Sequence, residues 1–306
     1  MSQYKKRYGE EKNMNPGDSD QITRDYFDSM LLETRYMDAE LPTTDFTLYG
    51  AHFDTPIMTT ALSHLHHICE DAMAQYAIGA KEANTLHWVG MGDDEELPHI
   101  TATGAKTVKI IKPHANNDDV FAKIECAKRA GCFAMGMDID HAFNGTGGYD
   151  VVLDLPMKPK STEEIRSFVI AAEMPFIIKG VLSAHDAEKC VEAGARGIVV
   201  SHHHGIMPYS VPPLMVLPEI VKAVNGQIPI FVDCGIVSGV DAFKALALGA
   251  TAVGVGRELM GPLKDGGLAV AKRIQEMTGE LKSIMARTGA RSLRDIDPSV
   301  IHFRNF

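Results

Sequence analysis

The chain is poor in the features that mark several large protein classes. It has five cysteines in 306 residues (Cys69, Cys126, Cys132, Cys190 and Cys234), an odd number, widely spaced and without a CxxC pair. That usage argues against a disulfide frame and fits reduced thiols in a cytoplasmic setting. No apolar run approaches the roughly 20 residues of a membrane-spanning helix, and the polar opening MSQYKKRYGEEKNMNPGDSD lacks the apolar centre of a secretory signal. Basic charge is scarce too. With 30 Lys and Arg against 40 Asp and Glu, the formal net charge of −10 counts against nucleic acid or anionic membrane as a general partner. No internal linker rich in Pro, Gly or Ser divides the chain, so residues 1–18 are expected to form a mobile lead-in and residues 19–306 one domain.

What is present is core material in a repeating pattern. Hydrophobic residues make up 45% of the sequence. Residues 20–38 are expected to be helical, with Ile22, Tyr26, Met30 and Leu31 near one face. Eight strand-like runs follow, at 55–60, 85–89, 107–111, 132–137, 175–179, 197–201, 229–233 and 251–256. Most are separated by helical patterns closed by Gly or Asn, such as 117–131, 184–195 and 239–250. The runs are continuously apolar, as a sheet covered on both faces requires. Eight of them with intervening helices predict an α/β fold, a (β/α)8 TIM barrel, for which about 250 residues is typical.

The chemistry sits at the ends of the later runs. Lys179, His203, Asp233 and Arg257 each follow an apolar stretch, and catalytic groups of such barrels stand at the C-terminal tips of the strands. DCGIVSG (233–239) and GVGREL (254–259) offer glycine-rich backbone amides before helices, with Arg257 as a cation, which is a pattern for phosphate. Lys179 reads as a Schiff-base nucleophile or a charge stabiliser. His203 lies in SHHHG, where strand alternation would turn it inward and His202 and His204 the other way; a single metal ion shared by three diverging histidines is not expected, and His203 reads as a general base. Asp138, in GMDID, reads either as the residue that orients this histidine or as a turn residue.

Several segments resemble the FMN-dependent α-hydroxy acid oxidases and dehydrogenases, the group that includes glycolate oxidase, lactate oxidase and mandelate dehydrogenase. They are 179–205, 232–250 and GVGREL, with looser likeness in TRDYFDSM, TPIMTTALSHL and AKRAGCFAMGMDID. The resemblance implies FMN as cofactor, a small-molecule substrate, a separate electron acceptor and a homo-oligomer, a tetramer. It implies that Lys179 stabilises the reduced flavin, that His203 removes a substrate proton with support from Asp138, and that Tyr26 hydrogen-bonds the substrate. Cofactor contacts are implied for Thr59, Thr60, Ala61, Gly90, Lys109, Lys179, Ser201, Asp233, Gly235, Gly256 and Arg257.

This sequence also departs from the family. Where the family reads SNHGGRQ, this chain reads SHHHGIM, so Ile206 replaces the arginine that pairs with the substrate carboxylate. No arginine occurs in HAFNGTGGYD after the fourth strand, Val237 stands where a phosphate-side arginine is usual, and Lys109 replaces a flavin-facing glutamine. The segment between Asp138 and Lys179 is a shortened version of the loop that covers the substrate, and His202, His204 and His141 are candidates for new polar contacts there. Loss of bidentate carboxylate donors points away from small α-hydroxy acids. The expected function is therefore FMN-dependent oxidation of another hydroxylated substrate. The alternatives are a flavin-free barrel lyase or isomerase acting on a phosphorylated substrate through Lys179, and a non-catalytic FMN-binding protein.

Overall fold

Eight parallel strands form the centre of the molecule: β1 (Ile57–Thr59), β2 (His87–Val89), β3 (Thr107–Ile111), β4 (Ala134–Asp138), β5 (Phe176–Val181), β6 (Gly197–Val200), β7 (Ile230–Val232) and β8 (Ala252–Val255). The computed structural model describes residues 16–304. From β2 to β8 each strand pairs with the next, and β8 returns to β1 through Val253↔Ile57, Gly254↔Met58 and Val255↔Thr59. The seam between β1 and β2 is held by Thr59 N–H donating to the Leu86 carbonyl at 3.3 Å, by Trp88 N–H donating to Thr59 Oγ1 at 2.8 Å, and by a bridge between Leu62 and Val89. This is the expected barrel.

Alternation along these strands divides the apolar residues into two sets. Met58, Trp88, Val108, Ile110, Ala134, Ile177, Val199, Phe231 and Ala252 pack together inside the barrel, whereas Ile57, Val89, Ile111, Met137, Ile178, Val200, Val232 and Val253 pack outward against helices. At β4 only glycine fits the inner layer at position 136, because a Cβ there would lie 2.0 Å from the Ile177 carbonyl oxygen. The hairpin of Phe46–Leu48 and Ala51–Phe53 adds Leu48 and Phe53 to the inner set, and Tyr49 Oη donates to the Arg196 carbonyl at the start of β6. The hairpin therefore stops the N-terminal end of the barrel. The opposite end remains for chemistry.

The outer helices are α1 (Ala72–Glu82), α2 (Glu96–Ala102), α3 (Asn117–Arg129), α4 (Thr162–Ala172), α5 (Ala184–Glu192), α6 (Pro213–Val224), α7 (Gly239–Ala247) and α8 (Gly267–Arg287). Asn116, Ser183 and Ser238 cap α3, α5 and α7, and Ser161 with Glu164 forms a capping box on α4. These caps sit where strand-to-helix turns end, so local sequence sets where each return begins.

The helix expected over 20–38 is shorter, Ser19–Ser29, with Asp18 as N-cap. Met30–Leu32 then runs antiparallel to Ile301–Phe303, and this long-range pairing overrides the helical periodicity. The helix buries Ser19, Thr23 and Phe27 rather than the Ile22 and Tyr26 face. Residues 1–15 of the expected lead-in lie outside the described residues; Gly17 accepts a hydrogen bond from Tyr209 N–H, so this part of the lead-in joins the fold. Among the described residues no helix is long and apolar enough to cross a membrane.

Candidate active site

Inward parity at the C-terminal tips brings Lys112, Asp138, Lys179 and Asp233 together. Lys179 Nζ lies 3.1 Å from Asp138 Oδ1 and 3.7 Å from Asp233 Oδ2, and Lys112 Nζ lies 2.8 Å from Asp138 Oδ2. The side chains of Lys179 and Asp138 are each 5% exposed, so the ions need one another. Burial alone would push the Lys179 ammonium towards neutrality, but Asp138, Asp233 and Asp140 outweigh it and hold the lysine charged beyond its ordinary range. Burial likewise disfavours the Asp138 carboxylate, yet Lys179, Lys112 and His203 bring its pKa far below the usual value. Lys112 was missed in the sequence; its signal was parity, since it continues the inward series Val108 and Ile110.

An open cleft lies against this cluster, lined by Met58, Thr59, Thr60, Ala61, Trp88, Lys179, Val199, Phe231, Asp233 and Gly254. Thr60 Oγ1 donates to Asp233 Oδ2 at 3.2 Å. Thr59 turns its hydroxyl away, towards His87 Nδ1 at 3.1 Å. Gly90 packs against the Ala61 and Leu62 carbonyls, and Gly256 against Thr60, where a Cβ would come within 2.8 Å of Thr60 Cγ2. The apolar floor of Trp88 and Phe231 is an edge-to-face pair with centroids 5.4 Å apart.

His203 stands on the rim. The SHHHG segment is a turn, with left-handed φ of 48° at His203 and 60° at His204, so the strand alternation expected there does not operate. The three imidazoles still diverge. His202 is buried; its Nδ1 accepts from Gly205 N–H at 3.0 Å and its Nε2 lies 2.8 Å from Thr23 Oγ1, which makes it an anchor of the N-terminal helix rather than a substrate contact. His204 is exposed, with Nδ1 2.5 Å from Asp20. His203 Nδ1 is 3.0 Å from Asp140, 3.4 Å from Lys179 Nζ and 3.7 Å from Asp138. Asp140, not Asp138, is thus the direct partner of His203. The sequence GMDID carries both carboxylates at one parity, and Lys112 and Lys179 claim the first.

Other expected contacts fall elsewhere. Lys109 leaves β3 on the outward side and donates to the Gly90 carbonyl at 2.8 Å, so it does not share the Lys179 cavity. Tyr26 packs on Phe303, with ring centroids 5.7 Å apart, on the terminal two-stranded ribbon; it is not joined to the His203 cluster. Arg24 of the same helix instead donates to the Gly235 carbonyl at 3.3 Å and pairs with Asp241 at 2.9 Å. Arg257 has a side chain 63% exposed and lies 3.3 Å from Asp20. Ser201 Oγ accepts from His203 N–H at 3.1 Å and thereby shapes the turn. Ile206 is 41% exposed. His141, after β4, places Nε2 3.2 Å from His203 Nε2 and Nδ1 3.1 Å from Asp150.

A nearly closed parallel barrel with a buried ammonium, a carboxylate-supported imidazole and an apolar-floored cavity at its C-terminal mouth is the architecture of a flavin-binding oxidoreductase barrel. The chain belongs to the FMN-dependent dehydrogenase family, which matches residues 11–170 and 157–303. L-lactate oxidase from Lactobacillus jensenii is 30% identical over 298 residues, 87% of this chain and 73% of that protein. Glycolate oxidase 3 from Arabidopsis thaliana is 45% identical over 138 residues, a stretch that spans only 38% of its length. Among solved structures, mandelate oxidase with 3,3-difluoro-2-hydroxy-3-phenylpropionic acid has a TM-score of 0.84 at 25% identity, with 95% of this chain and 91% of that one covered. The residues present suit FMN: Lys179 offers a fixed positive charge to an electron-rich ring edge, Gly254 leaves room against Thr60 and Asp233, and the buried indole N–H of Trp88 has no hydrogen-bond partner among the described residues.

Proposed function

We propose that the protein is an FMN-dependent oxidoreductase that oxidises a hydroxylated substrate with an apolar body, rather than a small α-hydroxy acid. The observation that carries this reading is the His203–Asp140 pair standing beside Lys179 at the cavity rim. FMN, when bound, supplies the acceptor for two electrons from the alcohol carbon. The protein supplies the proton and charge handling. His203 takes a proton from the substrate, Asp140 stabilises the resulting imidazolium, and Lys179, kept charged by Asp138 and Asp233, stands ready to balance negative charge at the cavity wall. A permanently charged Lys179 is also a poor amine nucleophile, which weighs against the Schiff-base alternative.

The substrate class follows from the mouth. Phe143 and Tyr149 in the loop after β4, and Ile206 and Met207 in the loop after β6, are exposed apolar side chains at the C-terminal end of the barrel. Such a rim favours an apolar substrate body and penalises a carboxylate that enters without a cationic partner. The test is anaerobic bleaching of the bound flavin by a panel that sets glycolate, lactate and mandelate against hydroxylated compounds with larger apolar groups. Preferential reduction by the second group supports the proposal. Rapid reduction by glycolate, lactate or mandelate would refute the substrate assignment.

A further inference from the structure

Asp150 and Asp140 fix the tautomers of two facing histidines. An ionised carboxylate only accepts hydrogen bonds, so His141 gives its Nδ1–H to Asp150 at 3.1 Å and His203 gives its Nδ1–H to Asp140 at 3.0 Å. In its neutral form each ring then carries a lone pair at Nε2. These two nitrogens lie 3.2 Å apart, a separation that either an Nε2–H···Nε2 hydrogen bond or a metal ion held by both rings satisfies. Two imidazoles on a tetrahedral zinc ion, with Zn–N near 2.05 Å, would have nitrogens about 3.3 Å apart. The structure already holds that spacing.

We propose that His141 and His203, with Asp140 beside them, form a binding site for a divalent transition-metal ion such as Zn2+. One donor atom from each of Asp140, His141 and His203 lies within 4.8 Å of the others. Carboxylates on the distal ring nitrogens are the second shell that orients metal-binding histidines. Charge also favours a cation, because Asp138, Asp140, Asp150 and Asp233 surround the site against the two ammoniums of Lys112 and Lys179. Imidazole donors select zinc-like ions over Mg2+ or Ca2+. The side chains of His141 and His203 are 21% and 27% exposed, which leaves a path from solvent. The ion occupies the lone pair that the proposed function assigns to proton removal. Metal binding and base catalysis at His203 therefore exclude each other, and the ion acts as a reversible inhibitor; this last step rests on the oxidoreductase reading, whereas binding itself does not.

The experiment is a calorimetric titration of the chelator-stripped protein with Zn2+ alone, with and without added FMN and in the absence of substrate. One ion per chain should bind, with at least 100-fold weaker binding in His141→Ala and in His203→Ala. Asp150→Asn, which keeps both ligands, should weaken binding by roughly 10-fold or more, the usual size of a second-shell loss, and it serves as the test if either alanine variant fails to fold. His66→Ala, which changes an exposed histidine outside the cluster, should bind as the parent does. Absence of binding at millimolar Zn2+, or binding indifferent to His141→Ala and Asp150→Asn, would overturn the proposal. Since no turnover is measured, a failed flavin reading would leave this titration interpretable, and added Zn2+ in the bleaching assay then tests the inhibition separately.

Discussion

His203 Nδ1 lies 3.0 Å from Asp140 but 3.7 Å from Asp138. The two carboxylates, one residue apart in GMDID, therefore do different work. Asp140 supports the imidazole, while Asp138 neutralises two buried ammoniums. Asp140→Asn should slow substrate-driven flavin reduction by up to roughly 100-fold, the low end of what a general base itself contributes, with little change in the denaturation midpoint. Asp138→Asn should instead cost about 3–5 kcal/mol of stability, because it leaves Lys112 and Lys179 buried against a neutral group. Stopped-flow reduction and urea denaturation of both variants separate the roles.

Ile206 stands where the resemblance calls for a substrate arginine. Ile206→Arg should raise the rate of flavin reduction by lactate or mandelate by roughly 10-fold or more, because a guanidinium restores a bidentate partner for the carboxylate. A flat response across several acids would show that the clamp lies elsewhere.

Asp20 bridges His204 and Arg257 at the edge of the glycine-rich turn after β8. A flavin phosphate arriving at Arg257 would compete with this carboxylate. Asp20→Asn should strengthen FMN retention, but by less than about fivefold, since an exposed pair is worth at most about 1 kcal/mol. Equilibrium dialysis against FMN measures it.

His87 is buried against Tyr76 and Thr59, and burial pushes its pKa down to about 3. The unfolded chain binds this proton near pH 6.5, so between about 6.5 and 3 the unfolded state holds more protons and stability falls as pH falls, by up to about 1.4 kcal/mol per unit. His87→Asn removes the titrating group. Denaturation at pH 7 and pH 5 should show a smaller pH loss in the variant than in the parent.

Much of this was legible in the sequence because it rests on short-range pattern. The eight apolar runs became the eight barrel strands, and Lys179 and Asp233 stand at the cavity because strand-end residues of one parity must converge. What was misread depended on contacts distant in sequence or on a change of period. The helix stops at Ser29 because Ile301–Phe303 captures the next residues. Lys109 was assigned by resemblance, whereas parity turns it outward and turns Lys112 inward. Positive φ at His203 and His204 broke the alternation from which the histidine directions were inferred, and no local signal announced that turn. The pairing of His141 with His203 joins loops 62 positions apart, so only the fold reveals it.

The central claim is that His203 removes the substrate proton while Lys179 and the cavity hold FMN. Single-turnover anaerobic reduction of the flavin in the parent and in His203→Ala, with FMN content measured on the same samples, tests it most directly. The account predicts full flavin content in the variant and reduction slowed by roughly 100-fold or more. Equal reduction rates in the two proteins, with flavin bound in both, would contradict it.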